Sequence, residues 1–349
     1  MKLTIHHNSL VRGIFGAILF IGIPGLVFLI LWPFLGWLPG VIGAGCIFLI
    51  AVYGLLIGWR HIKVRRVSCV SPLLPQAFEG YRILQLSDIH IGTFLKNRSF
   101  ITKVVDTVQK QKVDLIVFTG DLVNVSAEEI IPFTTVLDRL HAPDGVLSVL
   151  GNHDYCEYGK DTSEENIRKN QKVLHYLEEK MGWKLLLNDH VLIHRSVKVA
   201  RHSQEEAAGR VRGESCPDAP ADEDSTIAVI GVENISRPPF QSYGDLDHAM
   251  KGLPEGMFKI LLSHDPHHWR MGVLHHTDIA LTLSGHTHAG QLRIGHFSPV
   301  KWFYHEWGGK YTEDGSMLYI STGIGGTMPF RLGDPPEIPI IELHRPAEG

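Results

Sequence analysis

Five short polar clusters in this chain contain the residue types that hold metal ions and transfer protons. Each cluster follows an apolar run of β-forming residues; they are Asp88-Ile89-His90, Gly120-Asp121, Gly151-Asn152-His153-Asp154, Ser263-His264-Asp265 and Gly285-His286-Thr287-His288. A buried strand is therefore expected to end at each cluster, and strand ends are where layered α/β folds collect catalytic groups. The sequence predicts a single site that is built from five loops.

The donor atoms of these clusters favour borderline divalent cations. Carboxylate oxygen, amide oxygen and imidazole nitrogen suit Mn, Fe(II) or Zn, and none of the four cysteines lies in a cluster, which argues against a thiolate site. One carboxylate can bridge two cations about 3.5–4 Å apart, and such a pair activates a water while it binds phosphoryl oxygens. Asp121 suits the bridging position because it ends a central strand.

Each cluster taken alone has a simpler explanation. Gly-Asp and Gly-Asn-His-Asp are also common turn sequences, because asparagine and aspartate tolerate tight backbone conformations. Five clusters in this order, each at a strand end, favour a shared site over five unrelated turns.

The order of the clusters resembles that of the calcineurin-like metallophosphoesterase superfamily, D-x-H, G-D, G-N-H-D/E, H and G-H-x-H, over about residues 80 to 345. The resemblance implies two divalent ions, with Mn as the first expectation and Fe or Zn as alternatives. It assigns the first metal to Asp88, His90, Asp121 and His288, and the second to Asp121, Asn152, His264 and His286. It also implies that His153 protonates the leaving oxygen and that Asp154 orients His153.

A glycine-rich segment near the C-terminus adds to the resemblance. Thr322–Gly326 and Pro329–Arg331 are similar to segments of the membrane-associated bacterial branch, which includes phosphodiesterases and UDP-2,3-diacylglucosamine pyrophosphatases. Backbone N–H groups of the glycine run could approach a phosphate, with Arg331 as a substrate-binding residue. A glycine-rich connection between two closing strands is the alternative.

The first sixty residues contain a long uncharged stretch. From Gly13 to Trp59 there is no aspartate, glutamate, lysine, arginine or histidine. At about 1.5 Å per residue, this stretch can cross a ~30 Å hydrocarbon layer twice as helix. The prolines, glycines and tryptophans of Trp32–Gly40 favour a turn between spans near residues 11–31 and 40–59. A cleaved signal peptide and a pair of buried soluble helices fit the length and uniform apolarity less well.

Basic residues at both ends of this stretch predict its orientation. Those before it are Lys2 and Arg12, and those after it are Arg60, Lys63, Arg65 and Arg66, whereas the turn has none. Both ends are therefore expected in the cytoplasm, which makes this a multi-pass protein of the cytoplasmic (inner) membrane with the lipid bilayer as a partner.

Composition divides the chain into three parts. They are a membrane anchor at residues 1–60, a juxtamembrane linker at 61–80 and a catalytic domain at 81–349, with a mobile insertion expected at 201–224. The insertion is expected because that segment has almost no large apolar residues. The fold class expected is α/β, a four-layer α/β/β/α metallophosphoesterase sandwich preceded by an N-terminal transmembrane helical hairpin.

Aromatic residues and further histidines lie near the last two clusters. Trp302, Phe303, Tyr304 and Trp307 could form a wall beside the site, or pack against the membrane or the core. The histidines that fit none of the paired spacings are His267, His268, His275 and His276, and they are expected at exposed or helix-capping positions.

The first functional hypothesis is a membrane-anchored phosphohydrolase that cleaves a phosphodiester or pyrophosphate bond of a lipid-linked substrate. A metal-activated water is the expected nucleophile and His153 the general acid, and anchoring raises the concentration of the site at the bilayer. A phosphodiesterase for a soluble nucleotide or other small phosphodiester is the alternative within this class, and a non-catalytic membrane scaffold is the alternative from another. The net charge of −4 and the lack of a basic, aromatic-interleaved stripe argue against a nucleic-acid partner.

Overall fold

The computed structural model describes residues 13–196 and 224–347. The predicted insertion at 201–224 lies outside the described residues, apart from its last residue.

Two six-stranded mixed sheets form the centre of the protein. The first sheet has the order β1 (Lys63–Val70), β12 (Glu337–His344), β2 (Arg82–Leu86), β3 (Leu115–Thr119), β4 (Val146–Val149) and β5 (Trp183–Leu185). The second has the order β10 (Gly309–Glu313), β11 (Ser316–Ile320), β9 (Leu281–Ser284), β8 (Lys259–Leu262), β7 (Asp224–Gly231) and β6 (Asp189–Ser196). Strands β2 to β5 are parallel, as are β7, β8, β9 and β11, so their carboxyl ends meet at one edge of each sheet.

Helices cover the outer faces of the sheets. The described helices are α1 (Gly13–Leu35), α2 (Trp37–Leu56), α3 (Arg98–Gln109), α4 (Thr134–Leu137), α5 (Glu164–Lys180) and α6 (Leu246–Ala249). Apolar faces of α3 and α5 pack on the first sheet, and α6 and the turn Trp269–Val273 pack on the second. A third apolar cluster fills the space between the sheets. This arrangement confirms the four-layer α/β/β/α sandwich.

One polar contact crosses the layer between the sheets close to the site. The amide of Gln85, in β2, is fully buried and donates to the carbonyl of Ser284 in β9 at 2.8 Å and to the hydroxyl of Thr119 in β3 at 2.9 Å. A buried amide that is hydrogen-bonded on both sheets fixes their relative position.

Helices α1 and α2 form an antiparallel pair, and both are long and apolar enough to cross a membrane. The turn is tighter than expected, because only Gly36, at φ 91°, separates them. Pro39 lies in the first turn of α2, where the backbone N–H has no helical partner to lose. Large apolar side chains on this pair remain exposed, including Phe34 at 84% and Ile21 at 73%, as suits a lipid-facing surface.

The hairpin also packs against the catalytic domain. Phe330 is buried among Leu19, Ala51 and their apolar neighbours, and the N–H of Arg331 donates to the carbonyl of Gly54 in α2 at 3.1 Å. A Cβ at Gly58 would lie 1.9 Å from the carbonyl oxygen of Arg331, so only glycine permits this approach.

The segment predicted as a linker, residues 61–80, differs from that expectation. Lys63–Val70 forms β1, which pairs in parallel with β12 along its whole length. Arg65 contributes by binding Glu337 at 2.5 Å. The hairpin therefore leads almost directly into an edge strand of the first sheet, so residues 63–70 belong to the catalytic domain instead of forming a separate linker.

Candidate metal centre

The five polar clusters lie at the carboxyl ends of strands from the two stacked sheets, and they meet at one side of the sandwich. Five of the predicted ligands adopt left-handed backbone conformations, with φ between 46° and 72°: Asp88, His90, Asp121, His286 and His288. Such conformations are uncommon for residues other than glycine and cost on the order of 1–3 kcal/mol each. The chain reverses sharply after each strand, and this reversal turns the side chains toward one another.

The first predicted ligand set is assembled in the structure. One ligand atom from each of Asp88, His90, Asp121 and His288 lies within 4.8 Å of the others. The Nε2 atoms of His90 and His288 are 3.2 Å apart, and His90 Nε2 lies 3.4 Å from Asp121 Oδ2. Asp88 Oδ1 lies 3.3 Å from His288 Nε2. Nitrogen and oxygen lone pairs thus converge on one point.

The second predicted set shares Asp121 with the first. His264 Nε2 lies 3.3 Å from the same Asp121 Oδ2, and His286 Nδ1 lies 3.2 Å from His264 Nε2 and 2.9 Å from the side-chain oxygen of Asn152. Asp121 Oδ2 is therefore close to histidines of both sets, which is the placement that a bridging carboxylate requires.

The surroundings of these side chains fit divalent metals. His264 Nδ1 lies 2.7 Å from the carbonyl oxygen of Thr119, and a proton placed on Nδ1 leaves a lone pair on Nε2 for a metal. Asp88 and Asp121 are fully buried carboxylates, which need cationic partners or hydrogen bonds. Without a metal, facing imidazole nitrogens would have to share single protons, whereas a cation accepts both lone pairs.

The pKa values show how strongly buried charge is concentrated here. Burial disfavours the charged form of His264, but the Asp121 carboxylate outweighs burial and raises the pKa of His264 to about 10. Burial likewise acts against the carboxylate of Asp121, yet His264 and His153 hold its pKa well below its ordinary value. Burial raises the pKa of Asp88. The Asp121 carboxylate therefore stabilises a positive charge placed beside it.

His153 lies beside the two ligand sets, as predicted. Its backbone N–H donates to Asp121 Oδ1 at 2.8 Å, and its ring centroid lies 4.7 Å from that of His90. Nδ1 lies 2.7 Å from the carbonyl oxygen of Asn124, so a proton on Nδ1 leaves Nε2 free to face a substrate. The ring of Tyr158 packs against it at 4.4 Å.

Asp154 occupies a different place from the one predicted. Its two carboxylate oxygens accept backbone N–H bonds from the loops after β3 and β4, at 2.7–3.1 Å; the donors are Asp121, Leu122, Val123 and Gly151. The carbonyl of Asn124, rather than Asp154, holds the imidazole of His153. The expectation of an Asp154–His153 pair does not fit these contacts. Asp154 instead fixes the loop that carries Asp121, the predicted bridging ligand.

Arg331 also lies away from any substrate position. It is 2% exposed, and its guanidinium donates to backbone carbonyls of His288 at 3.3 Å, Gly323 at 3.2 Å and Gly325 at 2.6 Å. Asp334 lies 3.7 Å away as its charge partner. Both terminal nitrogens of the guanidinium donate to carbonyls and the side chain is buried, so this placement does not fit the predicted substrate contact. Arg331 instead holds the loop of His288, a predicted metal ligand, by donating to its backbone carbonyl.

A comparison with protein families matches residues 81–290, well over half of the chain, to the calcineurin-like phosphoesterase model. The chain belongs to this family. Together with the assembled ligand sets, membership identifies a metal-dependent hydrolase of phosphoric ester or anhydride bonds.

Several relatives extend the match beyond that range. YkuE of Bacillus subtilis, an uncharacterized metallophosphoesterase, is 28% identical over 81% of this chain and 85% of its own length. A transmembrane protein with metallophosphoesterase domain of Danio rerio is 28% identical over 85% of this chain and 60% of its own length. UDP-2,3-diacylglucosamine pyrophosphatase LpxG of Chlamydia trachomatis is 25% identical over 80% of this chain and 90% of its own.

Among solved structures, phosphopantetheinyl hydrolase of Mycobacterium tuberculosis matches 69% of this chain and 88% of its own, with 14% identity and a TM-score of 0.37. A score this low says nothing about the substrate.

A cavity of about 550 Å³ opens in front of the family's metal ligands. Its wall includes Arg237, which the sequence reasoning missed, and whose guanidinium makes no hydrogen bond or ion pair with any described residue. Arg237 precedes two prolines in the loop after β7. The sequence signal for a role in the site is weak there, because no second polar residue at a ligand-like spacing accompanies Arg237. A free cation beside a metal centre is suited to bind phosphate oxygens.

Aromatic and histidine residues complete the cavity wall. Phe303 and Tyr304 line it, and the Tyr304 hydroxyl lies 2.7 Å from His286 Nε2, which fits the aromatic-wall alternative for these two residues. Trp302 and Trp307, the other two residues of that alternative, do not line this cavity. His267 lines the cavity as well, with its ring 4.3 Å from that of Tyr304. His268 is buried and hydrogen-bonded to the Ser263 hydroxyl; it is not exposed, and it lies at the N-cap position of the turn Trp269–Val273 without a capping bond from its side chain. His275 and His276 are exposed, as predicted.

Proposed function

We propose that this enzyme cleaves a phosphodiester or pyrophosphate bond of a lipid-linked substrate at the cytoplasmic face of the membrane. The observation that carries the proposal is that the apolar hairpin packs directly against Phe330 and Arg331, the segment beside the loop of His288. Phe330 contacts the hairpin, and the next residue, Arg331, holds the loop of His288. The similarity to LpxG, whose name states a diacylated substrate, supports the same substrate class.

Cavity shape supports an amphiphilic substrate. A second cavity of about 920 Å³ adjoins the metal cavity and shares Thr327 with it. Leu95, Met328 and Pro329 line it, and Met328 also packs against the hairpin. A phosphate group in the first cavity could therefore continue into an apolar portion that lies beside the membrane helices.

The proposed chemistry assigns one task to each residue. When bound, the two divalent ions, Mn by preference, supply Lewis acidity and an activated water for attack on phosphorus. Asp121 holds both metal positions, and Arg237 binds non-bridging oxygens. As the bond from phosphorus to the leaving oxygen breaks, His153 Nε2 donates a proton to that oxygen while Asn124 accepts from Nδ1. Burial, partly opposed by the Asp121 carboxylate, lowers the pKa of His153 to about 4. A phosphate beside the ring would favour the imidazolium by its negative charge and so supply the protonated form that a general acid needs.

Two variants test the assignment of roles. We expect Asp121→Ala to lose both metals, because its carboxylate serves both sets. His153→Ala should retain the metals and slow turnover by about 10²–10⁴-fold, the usual contribution of general acid catalysis. Metal content by mass spectrometry, measured with activity, distinguishes the variants. Two metals in the Asp121 variant, or none in the His153 variant, would show that the roles are misassigned.

Substrate class and orientation are tested separately. The proposal predicts a higher kcat/KM for a diacylated nucleotide sugar or a phospholipid than for its deacylated counterpart, measured on the full chain in vesicles. Protease treatment of sealed inverted and right-side-out vesicles should digest the catalytic domain in the inverted ones alone. Equal rates on both substrates would favour a small soluble phosphodiester instead.

A further inference from the structure

An exposed apolar loop projects from the catalytic domain between the last metal ligand and β10. Ile294, Trp302 and Phe303 are 68%, 70% and 76% exposed, which is unusual for side chains of this size on a soluble surface. We call residues 293–303 the aromatic loop. It is ordered rather than loose: Ile294 and Phe297 pair through two backbone hydrogen bonds, and the buried hydroxyl of Ser298 donates to the carbonyl of Ala289.

The aromatic loop lies next to the surface that the hairpin contacts. The N–H of Leu332 donates to the carbonyl of Gln291 at 3.0 Å, and the N–H of Arg293 donates to the carbonyl of Leu332 at 2.8 Å. Leu332 itself packs in the apolar cluster that includes Leu19 and Ala51 of the hairpin. Leu332 thus links the aromatic loop to the hairpin: its backbone pairs with the start of the loop, and its side chain contacts the hairpin.

The depth of this contact along the hairpin is informative. The cluster includes Ala51 and Leu55 of α2, whose last residue is Leu56. Ala51 therefore lies about 7 Å inside the end of the helix, at ~1.5 Å per residue. A domain that touches the hairpin at this depth must approach the boundary between head groups and acyl chains, if the hairpin spans the bilayer.

The composition of the loop fits that boundary. Lys301 lies 4.8 Å over the ring of Phe297, and Arg293 lies 5.4 Å over the ring of Trp307. Tryptophan beside lysine and arginine is typical of the interfacial zone, where rings enter the acyl boundary and cations reach the head-group phosphates.

We propose that the aromatic loop is a second membrane contact, which inserts Ile294, Trp302 and Phe303 into the lipid interface beside the hairpin. Because Val300 and Phe303 of the loop also line the metal cavity, this contact holds the mouth of the cavity at the lipid surface. The inference rests on the membrane-spanning hairpin of the proposed function and adds an orientation for the catalytic domain.

Quenching of tryptophan fluorescence by lipid tests the contact. The full chain is reconstituted into vesicles of phosphatidylethanolamine and phosphatidylglycerol, part of which carries bromine near the head-group end of the acyl chains. We compare the wild type with Trp302→Phe and with the control Trp183→Phe, whose tryptophan is buried in the first sheet. Brominated lipid should quench the wild type, and Trp302→Phe should lose part of the quenchable signal. The Trp183 variant should keep all of that signal.

The same samples distinguish a failure of the loop contact from a failure of the membrane anchor. Trp32 and Trp37 of the hairpin remain in every variant, so their quenching reports insertion of the hairpin itself. If they are quenched and Trp302→Phe loses nothing, the aromatic loop does not touch lipid and this inference is overturned while the anchor stands. If nothing is quenched, both the anchor and the loop contact are wrong.

A functional arm uses the variant Ile294→Ser/Trp302→Ser, because neither side chain lines the metal cavity. We expect it to retain wild-type turnover of soluble bis(p-nitrophenyl) phosphate and to lose activity on a phospholipid probe in the same vesicles. Equal loss on both substrates at an unchanged melting temperature, or full activity on the phospholipid probe, would overturn the loop contact. Sedimentation in detergent adds a check: a dimer that the double substitution abolishes would assign the surface to a second copy of the chain.

Discussion

Asp154 provides the sharpest test of how the site is held together. Its carboxylate accepts four backbone N–H groups, two on each oxygen, from the loops that carry Asp121 and Gly151. In Asp154→Asn, one of the two oxygens becomes an NH₂ group that faces two N–H donors. Two charge-assisted hydrogen bonds are then lost and two buried donors are left without acceptors.

The magnitude follows from those contacts. A hydrogen bond to a charged group contributes about 1.5–3 kcal/mol, so two of them amount to about 3–6 kcal/mol. For a domain of this size, roughly 2–4 °C of melting temperature corresponds to 1 kcal/mol, which predicts a decrease of roughly 6–24 °C. Because the displaced loop carries the bridging ligand, metal content should decrease as well.

Thermal unfolding by circular dichroism and metal analysis on the same preparation measure both effects. Asp161→Asn is the matched control, because Asp161 also accepts a backbone N–H, from Ser163, but at an exposed position. We expect no measurable change in melting temperature from the control. An Asp154 variant with unchanged melting temperature and full metal content, but with a shifted pH profile of turnover, would refute this reasoning and restore Asp154 as the orienting partner of His153.

Three further outcomes are expected. Arg237→Ala should lower kcat/KM by about 10–100-fold through the loss of a charge-assisted contact, with partial recovery in Arg237→Lys; unchanged kinetics would remove Arg237 from the site. Burial raises the pKa of Glu178 from 4.5 to about 8, so the folded state binds its proton more tightly and stability should fall as pH rises from 4.5 to 8, by up to about 1.4 kcal/mol per unit. Denaturant unfolding of Glu178→Gln across that range should show a shallower slope than the wild type. Gly58→Ala should destabilise by about 1–3 kcal/mol because its Cβ meets the carbonyl of Arg331, whereas Gly45→Ala, with open space around it, should not; equal melting temperatures would deny the close contact.

The ligands were predictable because each one follows a run of apolar residues. Strand β2 is such a run, at Arg82–Leu86, and Asp88 and His90 come directly after it. The start of α5 has an equally local cause, because the side chain of Ser163 caps the helix by accepting from the N–H of Asn166. In these cases the signal is local, so a few neighbouring residues determine the outcome.

The errors concern partners that are distant in the chain. The pairing of β1 with β12 joins residues such as Arg65 and Glu337, and a run with two adjacent arginines has none of the alternation that marks a half-buried strand. Asp154 and Arg331 were misjudged for a related reason. Asp154 binds backbone N–H groups and Arg331 binds backbone carbonyls. Because nearly every residue has both groups, no pattern of side chains in the sequence indicates such a contact.

The metal ligands come from both sheets. Asp88, His90, Asp121 and Asn152 follow strands of the first sheet, whereas His264, His286 and His288 follow strands of the second, so each set of four spans the boundary. Divalent ions would join the two halves at this edge by coordinate bonds, whereas the amide of Gln85 joins the same two sheets by a hydrogen bond to Ser284. Ions that bind only the folded arrangement stabilise it by mass action, by about 2.7 kcal/mol at a hundred times the dissociation constant. The concentration of free metal therefore becomes a determinant of the heat resistance of this enzyme as well as of its turnover.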